Sequence, residues 1–513
     1  MQQQHQSLPS PSSSAASPHP SGLRRRAVLR LGLLTAAGSL LAACSGSTSS
    51  SSSSAPAAAQ QPPAAAPTGA AGTSAGAAAT QPAAQQAPAG GGGPVEITFM
   101  TTQTNDADVK IYQQLADTFH AEHANVTVKI SPTDGTNYDQ KLLTYVQAGT
   151  LPDIVQTSDN FAKPFKDAGI SQDMIPFAQK TGFPYQDFDP TFLNLGMIDG
   201  QLHMLPKQGD VIVPYINLRM AKDAGVAVPT DFDPAKTPDG WTWDDFMTMC
   251  KRLTVDANGK HGDEPGFDKD NVAIYGASMS LDAWYTYVPA VLAEGGSFVA
   301  DDLSRSTLNS PQGVAAFTWL TDPVLQGYWA PLTLIQSLSN QSGNVFAAGR
   351  AAIAPLQRLW CTTLRASLTD DFDVLHFPKG PAKRVTGMGT FGFTLTAKSK
   401  HPDEAWQFLS WMYGDEGMQI ITSSYAAVPA EKRYYTSSFW RDLPPPPHTN
   451  AVFVDAFSYG TTPPRLPFYS TGEFRQSVTD GLTAITLGKS TPQDVVANVD
   501  AVLNKYLQQQ KKS

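Results

Sequence analysis

Regular spacing of apolar side chains begins at Val95 and predicts an ordered α/β body. Two segments alternate apolar and polar residues with a period of two, and a third starts as Leu-Pro-Asp-Ile-Val. Between them, two segments repeat apolar residues with helical spacing, and Gly149 ends the second. The predicted strands cover residues 95–100, 126–130 and 151–155, and the predicted helices cover residues 109–122 and 138–148. Strands that alternate with helices across short links predict a parallel sheet with right-handed crossovers.

Polar side chains follow each of these three strands. In open sheets of this kind, ligands bind beyond the carboxyl ends of the strands. Those ends lie here at residues 101–106, 131–138 and 157–161, and all three are rich in hydroxyl, amide and carboxylate groups. None of them is rich in glycine, so no phosphate-binding loop is predicted at this edge.

A basic and then apolar segment near the start of the chain has the layout of an export signal. Four arginines between positions 24 and 30 precede the apolar stretch Leu31–Ala43, whose length of about 13 residues is too short to cross a membrane as a helix. Leu41–Cys44 resembles the bacterial lipobox, in which the cysteine is lipidated, and Arg25–Arg30 resembles a twin-arginine signal. We expect a signal peptide over 1–43 and an exported protein, lipid-anchored through Cys44 and facing the periplasm or the extracellular side. An ordinary signal beside a chance cysteine is the alternative.

Residues 45–94 carry no charged side chain and consist almost wholly of Ser, Ala, Pro, Gln, Thr and Gly. Such a segment cannot bury enough apolar area to offset its chain entropy, so we expect 44–94 to be a disordered linker. A flexible coil of about 50 residues has an end-to-end distance of roughly 40 Å, which makes it a spacer between membrane and body. A mucin-like or adhesive role is the alternative.

Charge and cysteine content exclude several classes of function. The net charge of the 513 residues is −9, and without the four arginines of the leader it is −13. We expect no nucleic-acid partner, because phosphate binding needs clustered Lys and Arg. Cys250 and Cys361 are the only cysteines after Cys44, too few for a disulfide framework or a cysteine metal site. The sequence has no Walker loop, dinucleotide fingerprint or Gly-x-Ser-x-Gly motif, so no cofactor, metal or catalytic residue is predicted.

Four stretches together resemble the family 1 extracellular solute-binding proteins of ABC importers, the maltose and multiple-sugar type. Their order and spacing carry the likeness, which covers nearly all of residues 95–507. The four are Leu151–Asp159, the run from Leu205 through Val213–Asn217 to Trp241–Phe246, Phe346–Ile353, and Gly392–Leu395 continuing into Ser399–Leu409.

The resemblance implies a two-lobed periplasmic-binding-protein-like fold of type II, α/β in class. Each lobe would be a mostly parallel sheet flanked by helices, and a hinge would let the lobes close on a ligand. The first lobe would comprise residues 95–210 and 378–425, and the second 211–377 and 426–513. The implied partners are a carbohydrate and the permease subunits of an importer, and we expect a monomer.

Two groups of candidate ligand-binding residues follow from the resemblance. Asp159 and Asn160 come directly after the third strand, although either Ser158 or Asp159 could instead cap the helix that begins there. Asp282, Trp284 and Tyr285 match a stretch where sugar-binding relatives carry an acidic residue and a stacking ring. Packing of those rings in the core is the alternative.

Further candidates lie later in the chain. Trp360 follows a predicted strand end and is the strongest stacking candidate, while Arg358 could bind hydroxyls or an anion, or pair with an acidic neighbour. Gly387 would permit close backbone approach before Phe391, and a hairpin turn would also explain it. The remaining candidates are Tyr469, Glu473 and Arg475, which match a polar and aromatic region of relatives, and Thr102 and Gln103 after the first strand.

Two functions of different classes fit the sequence. The first is a non-catalytic lipoprotein that binds a mono- or oligosaccharide between its lobes and delivers it to a permease. Flat apolar rings with a few carboxylates, amides and arginines suit the hydroxyl edges and C–H faces of a sugar. The second is an exported glycan-cleaving enzyme, since paired carboxylates across a cleft also describe a glycosidase. Within binding, a non-sugar solute such as a glycerol phosphodiester remains an alternative.

Overall fold

The computed structural model describes residues 93–102, 106–133, 138–281, 283–339, 341–462 and 472–510. All of them belong to one structural unit of the chain, Gln86–Ser513. The predicted signal peptide, Cys44 and nearly all of the predicted linker lie outside the described residues. None of the helices within these ranges is both long enough and apolar enough to cross a membrane.

Strands and helices alternate along the described residues, as an α/β chain requires. The strands are β1 (Val95–Thr101), β2 (Val126–Pro132), β3 (Ile154–Ser158), β4 (Met197–Ile198), β5 (Gln201–Leu202), β6 (Leu205–Val211), β7 (Val213–Asn217), β8 (Val255–Asp256), β9 (Val272–Ala277), β10 (Ala351–Leu356), β11 (Phe372–Val374), β12 (Thr386–Leu395), β13 (Val428–Pro429) and β14 (Gly460–Thr461).

The helices flank these strands and connect them. They are α1 (Asp106–Glu122), α2 (Tyr138–Ala148), α3 (Asp159–Asp167), α4 (Ile175–Thr181), α5 (Pro190–Gly196), α6 (Leu218–Asp223), α7 (Trp243–Leu253), α8 (Trp284–Ala293), α9 (Pro311–Leu325), α10 (Leu332–Ser337), α11 (Ser342–Ala347), α12 (Trp360–Ser367), α13 (Pro402–Met412), α14 (Asp415–Ser423), α15 (Ser438–Arg441), α16 (Ala451–Asp455), α17 (Gly472–Thr486) and α18 (Pro492–Gln510), with 3₁₀ turns at Tyr185–Asp187, Lys432–Tyr434 and Ala456–Tyr459.

The first sheet has seven strands in the order β13-β6-β12-β3-β1-β2, with β14 paired to β12. Strand β1 is parallel to both β2 and β3, so the predicted unit of alternating strands and helices is confirmed. The long strand β12 enters between β3 and β6 and runs antiparallel to both. The sheet is therefore mixed, with its parallel part formed by the first strands of the chain.

The second sheet has five strands in the order β11-β7-β10-β9-β8. Its central pair, β10 and β9, is parallel, whereas β7 runs antiparallel to β10 and to β11. A single residue, Ile212, separates the end of β6 from the start of β7, so the chain passes from the first sheet to the second there. It returns to the first sheet between β11 and β12.

Aromatic rings pack against both sheets. In the first, the Phe99 ring packs edge to face on Tyr112 and Phe393, with ring centroids 5.2 and 5.1 Å apart. In the second, Trp243 stacks on Trp319 with centroids 3.8 Å apart. Because α7 begins with a capping box, Thr242 and Asp245 satisfy amide groups at the end that carries Trp243.

The C-terminal part of the chain divides between the two sheets. The sequence analysis assigned residues 426–513 to the second lobe, but β13 pairs with β6 in the first sheet. Further along, Phe453 packs on Tyr215 of the second sheet with ring centroids 6.2 Å apart, and α17 and α18 pack into the cluster that contains Phe246. Two residues of strand pairing, Val428 and Pro429, thus hold the start of this segment on the first sheet.

Candidate functional site

A cavity of about 100 Å³ lies where the two sheets face each other. One wall comes from the first sheet and from the start of α3, and the other comes from the start of α8 and the residue after β10. The lining residues are Ser158, Asp159, Asn160, Asp210, Ile212, Trp284, Tyr285, Gln357 and Gly387–Phe391. The cavity thus collects side chains from five separate segments of the chain.

Strand ends place several of these side chains. Ser158 is the last residue of β3, and Asp159 and Asn160 open α3, so they stand at the carboxyl edge of the parallel strands. Ser158 occupies the N-cap position of α3 without making a side-chain cap bond. Trp284 and Tyr285 open α8 on the opposite wall.

Asp210 is the most perturbed side chain of the cavity. It lies in β6 with 5% of its surface exposed, and its Oδ2 accepts a hydrogen bond of 2.9 Å from Nε2 of Gln357. The pKa of Asp210 is raised to about 7, chiefly by burial and also by the negative charge of Asp159, while the Gln357 bond and Lys207 act in the opposite direction. Its other oxygen, Oδ1, is buried and has no hydrogen-bond partner among the described residues. A buried acceptor without a donor is costly, which points to a ligand that supplies one.

Gln357 connects the two sheets. It follows β10 of the second sheet, and its carbonyl accepts a 3.1 Å hydrogen bond from the hydroxyl of Tyr215 in β7. Its side chain reaches across to Asp210 in the first sheet. The carboxylate of Asp210 is therefore held from the opposite wall of the cavity.

Gly387 permits a close approach between the walls. It lies inside β12 rather than in a hairpin turn. A Cβ atom at this position would be 2.4 Å from Cβ and 2.7 Å from Cα of Tyr285. Since backbone atoms cannot withdraw as a flexible side chain can, only glycine lets α8 reach β12 at this point.

A second cavity of about 200 Å³ adjoins the first, and the two share Ser158 and Phe391. It lies beyond the carboxyl ends of β1 and β3. The other lining residues are Thr102, Tyr138, Gln156, Thr157 and Phe161. Thr102, a predicted site residue, lies here and not in the first cavity.

The structure brings six of the predicted site residues to the first cavity: Asp159, Asn160, Trp284, Tyr285, Gly387 and Phe391. Asp210 and Gln357 lie there too, although the sequence analysis missed both. Asp210 precedes four apolar residues, Val211–Pro214, and this pattern could have identified it. A charged side chain is rarely buried in a strand unless it has a partner, so a carboxylate at this position indicates a binding role.

Trp360 lies away from both cavities. It opens α12, and only 8% of its surface is exposed. A Cβ atom on Gly343 would be 2.6 Å from three atoms of its indole, so the ring is packed against the backbone of α11. With its ring covered by protein, Trp360 offers no face for a sugar in this conformation.

Arg358 is fully buried and also lies away from the cavities. Its guanidinium carbon is 4.8 Å from the ring centroid of Phe453 and 5.2 Å from that of Trp440. Nε donates a 3.0 Å hydrogen bond to the carbonyl of Tyr425, and Nη1 donates to Oδ1 of Asn450. Arg358 thus ties the segment after α14 to the core and is not available to a solute.

Glu473 and Arg475 lie on the exposed surface of α17 and line neither cavity. The Oε1 atom of Glu473 forms an ion pair of 2.9 Å with Nζ of Lys505. Asp282, Gln103 and Tyr469, also predicted as site residues, lie outside the described residues.

The charged side chains that line the two cavities are all acidic. Neither is lined by Lys, Arg or His among the described residues, while the first contains the carboxyl groups of Asp159 and Asp210. Within the same residues, no group of three or more His, Cys, Asp or Glu side chains could hold a metal ion. The lining offers hydrogen-bond acceptors, amides and aromatic faces.

Comparison with known proteins agrees with this architecture. A family model described as "Bacterial extracellular solute-binding protein" matches residues 114–445. An uncharacterized lipoprotein of Streptomyces antibioticus is 22% identical over 334 residues, covering 64% of this chain and 68% of that protein.

Two solved structures have similar folds. One is an ABC substrate-binding protein from Listeria monocytogenes in complex with cycloalternan, with a TM-score of 0.68, 21% identity and coverage of 81% of this chain and 99% of that one. The other is UgpB from Mycobacterium tuberculosis in complex with glycerophosphocholine, with a TM-score of 0.66, 19% identity and coverage of 82% and 100%.

Proposed function

Because this chain belongs to the bacterial extracellular solute-binding proteins and has their two-lobed type II α/β fold, we propose that it captures a carbohydrate between its lobes. In this proposal it delivers the sugar, chemically unchanged, to the membrane permease of an ABC importer. Binding shifts the chain towards a closed form only to the extent that the ligand makes better contacts there.

The lining of the first cavity carries the proposal. Asp210 presents a buried acceptor without a partner, which a sugar hydroxyl can donate to. The amide of Asn160 offers further hydrogen bonds, and the rings of Trp284 and Tyr285 offer apolar faces for C–H groups. Aromatic faces combined with a few well-placed polar groups are what a carbohydrate site requires.

The same lining disfavours a glycerol phosphodiester, the solute named for the UgpB structure. The side chains that recognise a phosphate are most often Arg or Lys. Arg358 is buried in the core, and Arg475 lies on the surface of α17. The two carboxyl groups that face the cavity would repel a phosphate.

Calorimetry with a panel of solutes tests the proposal. We expect heat of binding with at least one neutral saccharide, and none with glycerophosphocholine or a polyamine. Asp210→Ala removes the buried acceptor and should weaken the saccharide affinity at least tenfold, whereas the exposed control Asp322→Asn should leave it unchanged. A response to glycerophosphocholine or a polyamine but to no saccharide would refute the choice of ligand.

The proposal includes binding without catalysis. Family members act by binding, and the exported glycan-cleaving enzyme is the competing function. Incubation of the protein with oligosaccharides, followed by assay of new reducing ends, separates the two. Steady product release that scales with protein concentration would overturn the binding-only role.

Lipid anchoring through Cys44 and a monomeric state are further parts of the proposal. The lipobox-like sequence Leu41–Cys44 supports the anchor, and the Streptomyces antibioticus relative is itself named a lipoprotein. We expect Cys44→Ala to abolish incorporation of labelled fatty acid and to release the protein from membranes. Light scattering should give the mass of one chain; the mass of a dimer would contradict the monomer.

A further inference from the structure

The second cavity, beyond Ser158 and Phe391, contains a polar atom that the protein leaves unused. Gln156, in β3, has 1% of its surface exposed and lines this cavity. Its Nε2 is buried and has no hydrogen-bond partner among the described residues. In a protein interior such a donor is normally paired, so its place in the wall of a cavity indicates a bonding partner that comes from outside.

The orientation of this amide is fixed by its neighbours. The Oε1 atom of Gln156 accepts hydrogen bonds of 2.6 Å from the hydroxyl of Thr101 and 3.3 Å from the backbone N–H of Thr102. A backbone N–H can only donate, so the oxygen must face Thr102 and the NH₂ group must face the other way. The hydroxyl of Tyr138 donates a 2.8 Å bond to the carbonyl of Gln156 and holds the residue further.

The rest of the wall is largely aromatic. Phe161 and Phe391 are half-buried, and both line the cavity. Phe161 is backed by Phe165, with ring centroids 5.5 Å apart and an interplanar angle of 24°. This stack supports Phe161 from within the protein, so its ring is a rigid platform for an apolar face.

The two adjoining cavities differ in the hydrogen-bonding group that each leaves unpaired. The first holds an unpaired acceptor, Oδ1 of Asp210, and the second an unpaired donor, Nε2 of Gln156. A hydroxyl group can serve either atom, and a sugar ring also has apolar C–H faces. One ligand that spans both cavities would therefore satisfy both atoms.

We propose that the second cavity is a subsite for a second sugar ring, so that the ligand is a disaccharide or a longer saccharide. The C–H face of that ring lies on Phe161 and Phe391, and one of its oxygens accepts a hydrogen bond from Gln156. This inference rests on the proposed carbohydrate function and specifies the ligand within it.

Calorimetry with matched sugars tests the subsite on the full chain. The probes are glucose, galactose, maltose, cellobiose, lactose and trehalose. We expect the best disaccharide to bind at least tenfold more tightly than the monosaccharide it contains. Phe161→Ala, which removes the platform, should reduce the disaccharide affinity about tenfold and change the monosaccharide affinity less than twofold.

Gln156→Glu is the second variant, because a carboxylate keeps the acceptor for Thr101 and Thr102 but loses the donor. At pH 8 we expect it to lose about tenfold in affinity for the disaccharide alone. Equal affinity of wild type for mono- and disaccharides, or equal losses for both in Phe161→Ala, would overturn the subsite while leaving carbohydrate binding intact. Binding of no sugar in the panel, but of a non-sugar solute, would instead overturn the proposed function itself.

Discussion

Substitution of Asp210 by asparagine should change the stability of the protein in a way that depends on pH. Burial holds the pKa of Asp210 at about 7, compared with 3.8 for an ordinary carboxyl group. At a pH between these two pKa values, the carboxyl group of Asp210 keeps its proton in the native state and loses it in the unfolded chain. The native state of wild type therefore loses stability as pH rises from about 4 to about 7, and the loss is constant above that.

The size of the effect follows from the shift. About three pKa units at about 1.4 kcal/mol each give a loss of about 4 kcal/mol at pH 8, which asparagine avoids because it cannot ionise. Its carbonyl can still accept the hydrogen bond from Gln357. Its NH₂ group, however, is a buried donor in the place of Oδ1 and costs about 1–3 kcal/mol at every pH. The slope with pH, rather than the absolute change, is therefore the informative quantity.

Urea unfolding at pH 4.5, 6 and 8 measures this slope. We expect the free energy of unfolding of Asp210→Asn, relative to wild type, to rise by about 2–4 kcal/mol from the lowest to the highest pH. Asp322→Asn, at an exposed carboxylate on α9, is the matched control and should show no such trend. A difference that stays constant with pH, or falls, would refute the argument that burial raises the pKa of Asp210.

Three other substitutions have clear expected outcomes. Gly387→Ala places a methyl group 2.4 Å from Cβ of Tyr285 and should weaken ligand binding more than tenfold in calorimetry, because α8 can no longer reach β12; the control Gly472→Ala, at the start of α17 and outside both cavities, has no atom within 4 Å and should bind normally. Arg358→Met removes a buried cation from two hydrogen bonds and should lower the free energy of unfolding by about 2–4 kcal/mol with ligand affinity unchanged in the folded protein; a loss of affinity without a loss of stability would place Arg358 at the ligand. Glu473→Gln breaks an exposed ion pair and should change stability by less than about 1 kcal/mol in urea unfolding, and a larger change would contradict its surface position.

Local sequence patterns predicted the start of the fold, and the strand ends that they define include one part of the candidate site. Alternation and helical spacing predicted β1 to β3 and the helices between them, and the ends of parallel strands meet at one edge. Asp159 and Asn160 follow the end of β3, the family resemblance made them candidates, and they line the first cavity. The strand and helix predictions depend on local periodicity, which a single sequence contains.

The orientation of side chains at helix starts and in buried strands was beyond the sequence. Trp360 has the residue type of a stacking platform, but Gly343 allows the backbone of α11 to cover its ring. Arg358 is two residues away and is enclosed by residues about 70 to 100 positions further along the chain, such as Asn450. Asp210 and Gln357 meet across 147 positions. No local pattern encodes such pairings, because they result from packing between the sheets.

The single residue between β6 and β7 has a mechanical consequence. Ile212 is 3% exposed, its N–H donates a 3.0 Å bond to the carbonyl of Gly387, and its own carbonyl accepts a 2.6 Å bond from the hydroxyl of Thr386. Both backbone groups of Ile212 are thus hydrogen-bonded to β12, and the residue also lines the first cavity, so the crossing between the sheets is held in place at the cavity wall. A solute in the first cavity would therefore lie against the residue at which the chain passes from one sheet to the other.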